Sequence, residues 1–209
     1  MGRVKTRLSQ QLGFVRATMF YRQTLAQVIG RLAFDRRWHT SLSVAPTSAV
    51  HSTMLPLGPA RLAQDRGDIG QRMQSIFDCG AAGPVVVIGT DIPGVQPCDI
   101  ANAFGALGRH DLVFGPAEDG GFWLVGMRRT PRILKAFDKI RWSSEHTLHD
   151  TLVGLDDGVS VAFVRRHSDA DEARDLVHLA PILGRRVLSG AADALSRYHI
   201  ATSTAARSE

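Results

Sequence analysis

Residues 84–89, Pro-Val-Val-Val-Ile-Gly, are the feature that most limits what this chain folds into. Four β-branched residues in succession favour a strand. A continuous apolar run is typical of a strand covered on both faces, as in a parallel sheet. Residues 14–33, 69–78 and 98–108 instead carry helical patterns. This alternation of strands and helices predicts a three-layer α/β/α sandwich with a mostly parallel sheet.

The other elements and the domain limits follow from the same patterns. We expect further strands at 40–45, 111–115, 122–127 and 159–164, and short helices around 131–137 and 145–154. Residues 46–67 contain Pro and Gly and are expected to form a connection. The chain is predicted to be one domain over 1–199, followed by a small, polar and disordered tail over 200–209.

Composition excludes several classes of protein. The 209 residues are 44% apolar and 22% charged, which is ordinary for a globular domain. No run approaches the ~20 apolar residues of a membrane span, and no secretory signal is visible, so a cytoplasmic location is expected. Cys79 and Cys98 are expected to be free thiols. The net charge is +5, but no basic run is interleaved with aromatic residues, which argues against a nucleic-acid partner.

Acidic residues follow three of the predicted strands. Asp91 comes after 84–89, Glu118 and Asp119 come after 111–115, and Asp171 comes after 159–164. Ligands in open α/β sheets bind beyond the carboxyl ends of the strands, so order along the chain predicts that these acids meet at one edge. Asp91 is suited to bind Mg²⁺, or else to make an Asx-turn before Pro93. Asp171 is suited to bind the same ion, to cap a helix, or to do both.

The run Glu118-Asp119-Gly120-Gly121 has two interpretations. Asp-Gly is a strong hairpin signal, and taken alone it favours an ordinary turn. Two glycines also allow a backbone to approach a ligand closely or to adopt a positive φ. Carboxylates held in such a turn accept hydrogen bonds from a sugar or a nucleotide, or lie near a metal ion.

The amino-terminal segment and Asp68 are further candidates. Arg3, Lys5 and Arg7 alternate along the chain, which places three cations on one side of an extended segment. They are suited to a polyphosphate, or they belong to a solvated basic tail. Asp68 enters the predicted helix 69–78, where it contacts a base or ribose or simply begins the helix.

A resemblance to a known family rests on six segments taken in order. They are GRVKTRL, GDIGQRM, VVVIGTDIPGV, LVFGPAEDGGFWLVGM, RWSSEHTLHDTL and SDADEARDL. Together they resemble a bacterial family of glycosyltransferases of unassigned substrate with the GT-A (nucleotide-diphospho-sugar transferase) fold. This family is similar to 2-phospholactate guanylyltransferase and to the molybdenum-cofactor nucleotidyltransferases. The resemblance runs from Gly2 to about Leu176.

The resemblance implies a nucleotide or nucleotide-sugar donor, a small-molecule acceptor, and Mg²⁺ or Mn²⁺. By position in the motifs, it implies metal ligands at Asp91 and Asp171 and an acceptor-side loop at Glu118, Asp119, Gly120 and Gly121. It implies catalytic roles for Asp91 and Asp119, and donor contacts from Arg3, Lys5, Arg7 and Asp68. Nucleotidyl transfer and a non-catalytic nucleotide-binding module stay open as alternatives, and oligomeric state is not indicated.

Two departures from the family pattern lead to a further expectation. Relatives commonly read Asp-Val-Asp-Thr-Pro where this chain reads Asp169-Ala-Asp171-Glu-Ala. The family also has a central strand before the Gly-Arg-Val-Lys loop, and here Met1 stands where that strand should end. Without that strand, its neighbours would be left about 9.6 Å apart, twice the usual spacing. We therefore expect that the true start lies upstream, or that this chain is a weakly active copy.

Overall fold

A computed structural model describes residues 13–79 and 83–167 of the chain, except for the side chain of Arg16. The described residues fall into two compact units. The first contains 13–30 and 90–95, and the second contains 31–79, 83–89 and 96–167. A single domain over 1–199 stays a prediction, and the predicted tail at 200–209 lies outside the described residues.

Helix α1 (Phe14–Leu32) provides most of the described residues of the first unit. Its buried side chains recur at helical spacing, as the sequence predicts, and include Ala17, Phe20 and Val28. The Tyr21 hydroxyl lies 3.1 Å from the Thr90 hydroxyl, which ties this helix to the segment that carries Asp91.

The second unit contains three helices and six strands in its described residues. The helices are α2 (Ile69–Asp78), α3 (Pro97–Leu107) and α4 (Thr147–Val153), and a short 3₁₀ turn spans Thr47–Ala49. The strands are β1 (Ser41–Val44), β2 (Ala60–Ala63), β3 (Val85–Ile88), β4 (Leu112–Pro116), β5 (Phe122–Met127) and β6 (Val161–Phe163). None of the helices in the described part of the chain is both long and apolar enough to cross a membrane.

Four strands form the main sheet, in the order β3-β5-β4-β6. Strand β5 is antiparallel to both of its neighbours, and β4 is parallel to β6. Strands β3, β4 and β6 therefore share one direction, which confirms the prediction of a mostly parallel sheet. Strands β1 and β2 pair in parallel as a separate two-stranded sheet, and no strand among the described residues joins it to β3.

Helices pack on both faces of the main sheet. On one face, Met73 and Phe77 of α2 belong to a core cluster with Phe114 and Met127. Neighbouring residues on these strands point to the opposite face, where Gly126 lies against Leu107 of α3. This helix–sheet–helix arrangement confirms the predicted three-layer sandwich.

Two segments differ from the sequence prediction. The predicted helix at 131–137 is absent, because the backbone there bonds to the side chain of Gln74 instead of to itself. Gln74 Nε2 donates to the carbonyl of Leu134 at 3.0 Å, and Ala136 N donates to Gln74 Oε1 at 3.3 Å. The connection at 46–67 contains strand β2, whose four residues are too few to give a clear periodic signal.

Strand β3 also differs from expectation in its burial. All four of its residues are half-buried, although the sequence predicted a strand covered on both faces. Strand β3 stands at the end of the strand order, so within the described residues it pairs on one side only. Cys79 and Cys98 are exposed free thiols, as predicted.

We predict opposite effects from adding one methyl group at two glycines. A Cβ on Gly126 would lie 2.7 Å from Val113 Cγ1 and 3.1 Å from Leu107 Cδ1, so Gly126→Ala is expected to lower the free energy of unfolding by about 1–3 kcal/mol. Gly105, inside α3, has no neighbour within 4 Å of such a Cβ, so Gly105→Ala is expected to stabilise by about 0.5–1 kcal/mol. Denaturant unfolding measures both, and a stabilised Gly126→Ala would contradict the packing described.

Candidate functional site

The turn between β4 and β5, residues 117–121, presents two exposed carboxylates, Glu118 and Asp119. The turn is closed by a hydrogen bond from Ala117 N to the carbonyl of Gly121 at 3.0 Å. Asp119 Oδ1 accepts from Gly121 N at 2.9 Å, which is an Asx-turn. The hairpin expected from Asp-Gly is therefore present, and it leaves both acidic side chains at the surface. Neither has an ion-pair partner among residues 13–79 and 83–167.

Gly120 fixes this turn against the start of α4. Its φ is 85°, and an added Cβ would lie 2.2 Å from the carbonyl oxygen of Glu145. Its own carbonyl accepts from Leu148 N at 3.0 Å. Only glycine tolerates both the positive φ and the close backbone contact. The backbone that carries the two carboxylates is thus held by the Ala117–Gly121 hydrogen bond and by the contacts of Gly120 with Glu145 and Leu148.

Trp123 supports the same turn from inside the sheet. It is buried, and its indole covers Gly115 so closely that a Cβ there would lie 2.5 Å from Nε1. Nε1 donates to the carbonyl of Arg165 at 3.0 Å, and the ring meets His167 edge to face at 4.8 Å. Trp123 therefore links the β4–β5 hairpin to the segment that follows β6.

His167 and Asp99 form a buried pair at the same edge of the sheet. They are 9% and 4% exposed, and His167 Nε2 lies 3.0 Å from Asp99 Oδ2. The same carboxylate oxygen accepts from Gln96 N at 2.8 Å, so Asp99 also caps α3. The contact is a hydrogen bond whose direction depends on the tautomer of the imidazole. This pair fixes where the chain leaves β6, four residues before Asp171.

Asp99 lies in the first turn of α3. The sequence did not identify Asp99, His167 or Trp123 as part of the site. The available signal was position: His167 follows a strand and precedes the acidic run Asp169-Ala-Asp171. The partner of His167, Asp99, is 68 residues away, so no local sequence pattern indicates the pair.

Asp91 lies in the first unit, three residues after the end of β3. Its side chain is half-buried, and its neighbour Thr90 is held by Tyr21. A carboxylate is a hard oxygen donor that suits Mg²⁺ or Mn²⁺, and such ions commonly use one or two carboxylates with phosphates and water. Within the described ranges, no three His, Cys, Asp or Glu side chains group together as a metal site.

Asp68 has a structural role that the sequence left open. It is the N-cap of α2, where Oδ1 accepts from Gln71 N at 2.8 Å and Gln71 Oε1 accepts from Asp68 N at 3.0 Å. This reciprocal capping box accounts for an acid at this position. A contact of Asp68 with a nucleotide stays a prediction.

Four of the predicted site residues lie outside the described residues. They are the predicted phosphate contacts Arg3, Lys5 and Arg7 and the predicted metal ligand Asp171.

Comparisons with known proteins agree on family and fold. A model of the family described as "Uncharacterized protein conserved in bacteria (DUF2064)" matches residues 25–144, more than half of the chain. A crystal structure from Desulfovibrio desulfuricans G20 is similar with a TM-score of 0.75 and 25% identity, over 94% of this chain and 92% of that chain. That protein is provisionally described as a nucleotide-diphospho-sugar transferase. No curated protein matches this chain. The predicted GT-A-like fold is confirmed.

We predict that the two glycines of the turn respond differently to substitution. Gly120→Ala forces a Cβ into the Glu145 backbone at a positive φ, and should lower the free energy of unfolding by about 1–3 kcal/mol. Gly121→Ala meets only the Asp119 side chain, at 3.1 Å, and should cost less. Urea unfolding of the two variants is the measurement. Equal losses would show that Gly120 does not anchor the turn.

Proposed function

We propose that this chain, which belongs to the DUF2064 family, is a metal-dependent transferase that takes a nucleotide-activated sugar donor and passes the sugar to a small-molecule acceptor. The fold and the description of the similar solved protein support the transferase class. The single observation that carries the proposal is the β4–β5 turn, where glycine packing holds two exposed carboxylates at the edge of the sheet where β4 ends.

Asp119 is suited to receive a proton from the acceptor. Its Oδ1 is engaged by Gly121 N, whereas Oδ2 has no hydrogen-bond partner among the described residues. The Oδ1 atom therefore orients the side chain, and Oδ2 remains available to accept a hydrogen bond from the acceptor substrate. An acceptor hydroxyl bonded to Oδ2 gives up its proton there as its oxygen bonds to the anomeric carbon. The bond from that carbon to the phosphate oxygen breaks, and the nucleoside diphosphate leaves with the electron pair.

Glu118 stands beside Asp119 and extends the acceptor side of the turn. Its carboxylate is exposed and has no hydrogen-bond partner within the described residues. Acceptors rich in hydroxyl groups offer several donors to such a pair of carboxylates. We assign Glu118, Gly120 and Gly121 to acceptor binding, with the glycines keeping the backbone close and the turn rigid.

The donor side of the proposal uses Mg²⁺ or Mn²⁺, held by Asp91 with Asp171 as a second ligand. When bound, the ion would neutralise charge that develops on the phosphate oxygens of the leaving group. Asp91 fits this role because it offers a hard oxygen at the end of a strand, on a segment fixed by the Tyr21–Thr90 hydrogen bond. Arg3, Lys5 and Arg7 are assigned to the donor phosphates, and Asp68 to its ribose or base.

Replacing Asp91 tests the donor side through binding alone. We expect UDP or GDP with Mn²⁺ to raise the melting temperature of the protein, because a ligand that binds only the folded state stabilises it. In Asp91→Ala, the Mn²⁺-dependent part of that shift should disappear, while the exposed control Asp157→Ala should keep it. Calorimetry that finds unchanged Mn²⁺ affinity in Asp91→Ala would remove Asp91 from the site.

Replacing Asp119 tests the acceptor side through turnover. Asp119→Asn keeps an oxygen for the Gly121 N–H but cannot take a proton, so we expect hydrolysis of a nucleotide sugar by water to slow by about 10²–10⁴-fold. Donor affinity and melting temperature should stay the same, and Asp157→Asn serves as the control. An undiminished rate in Asp119→Asn would exclude Asp119 as the base.

A further inference from the structure

A basic cavity of about 250 Å³ lies in the second unit, at the edge of the main sheet where β4 and β6 begin and β5 ends. The polar and charged residues that line it are Asp111, Arg128, Arg129, Thr130 and Arg132. Strand β5 has six residues, so its two ends are separated by about 17–20 Å. The cavity is therefore distinct from the β4–β5 turn, which lies at the other end of the same strand.

Three arginines and one aspartate are among the residues that line the cavity. The carboxylate of the aspartate, Asp111, is already saturated within the fold. Its Oδ2 accepts from Ser160 Oγ at 2.6 Å and Ser160 N at 2.9 Å, and its Oδ1 pairs with Arg128. The hydrogen bonds from Ser160, together with the Arg128 charge, hold the pKa of Asp111 below its ordinary value. Asp111 therefore offsets the charge of Arg128, whereas Arg132 has no carboxylate partner among the described residues.

Arg129 is held in an unusual conformation beside the cavity. Its φ is 64°, which is unfavourable for a residue with a side chain, yet only 8% of the residue is exposed. Its Nε donates to the carbonyl of Phe77 at 2.7 Å, and Nη1 donates to that of Gly83 at 3.3 Å.

Two other arginines of the lining have unused hydrogen-bonding capacity. Arg128 Nε is buried and has no acceptor among the described residues, which is costly for a charged donor. The Arg132 side chain is exposed and has no hydrogen bond or ion pair within those residues. The backbone strain at Arg129 and the orphaned donor on Arg128 thus occur in adjacent residues of one cavity. Such features persist where a function requires them.

We propose that this cavity is a second binding site, specific for the phosphoryl group of inorganic phosphate or of a small phosphate monoester. Guanidinium groups bind phosphate through paired hydrogen bonds and supply the charge that a dianion needs. The cavity is smaller than the ~300–1,000 Å³ typical of pockets for drug-sized ligands, so it suits a small anion. Thr130, which also lines the cavity, has a hydroxyl that can donate a hydrogen bond without adding charge.

Calorimetry with inorganic phosphate tests the site directly. The wild-type chain should bind phosphate saturably. Arg132→Ala should weaken that binding at least tenfold, and Arg132→Glu should abolish it. Because Arg132 is exposed and has no partner in the described residues, both variants should keep the wild-type melting temperature. The control Arg36→Ala removes one exposed arginine elsewhere in the same unit and should bind phosphate like the wild type.

The same titrations separate this site from the donor site. Asp91→Ala should retain full phosphate affinity, so the two proposals fail independently. Glycerol phosphate that displaces inorganic phosphate would assign the ester as the ligand, and failure to displace would assign the free ion. Equal phosphate affinity in Arg132→Ala and Arg36→Ala would overturn the proposal, as would the absence of saturable binding to the wild-type chain.

Discussion

Strand β5 runs against β3 and β4 while pairing with both of them. The other three strands of this sheet share one direction. Strand β5 runs the opposite way, so its six residues take the chain from the side of the sheet where β4 ends to the side where β4 begins. The segment that enters β5 is the turn with Glu118 and Asp119, at the edge where β4 ends. The segment that leaves it is Arg128–Arg132, at the opposite edge. The acidic turn and the basic cavity thus lie at the two ends of strand β5.

Small residues make this arrangement possible. Gly115 gives room to the Trp123 indole, and Gly126 lets Leu107 of α3 approach the sheet. Gly120 plays the same part in the turn, where it meets the Glu145 backbone. At each of these glycines an added Cβ would lie closer than 3.0 Å to a neighbouring atom. Close packing, rather than an ion pair, therefore sets the position of the acidic turn. The buried pair His167–Asp99 then fixes the neighbouring exit from β6.

Local signals carried most of the fold prediction. The start of α2 follows from the Asp68 capping box, and the start of β5 follows from the double glycine before Phe122, because each signal lies within four residues of that start. The segment 131–137 could not be predicted this way, because Gln74, some sixty residues away, satisfies its backbone. His167 was missed for the same reason: Asp99 is 68 residues distant. For the site, the turn was predicted correctly, whereas a meeting of Asp91 with the other acids stays a prediction.

The measurement that tests the central claim most directly is phosphorus NMR of the protein incubated with nucleotide sugars and Mn²⁺. It identifies the bond that is broken. Transfer of the sugar releases a free nucleoside diphosphate, and we predict this product from at least one donor. Pyrophosphate released from a nucleoside triphosphate, with every nucleotide sugar left intact, would contradict it.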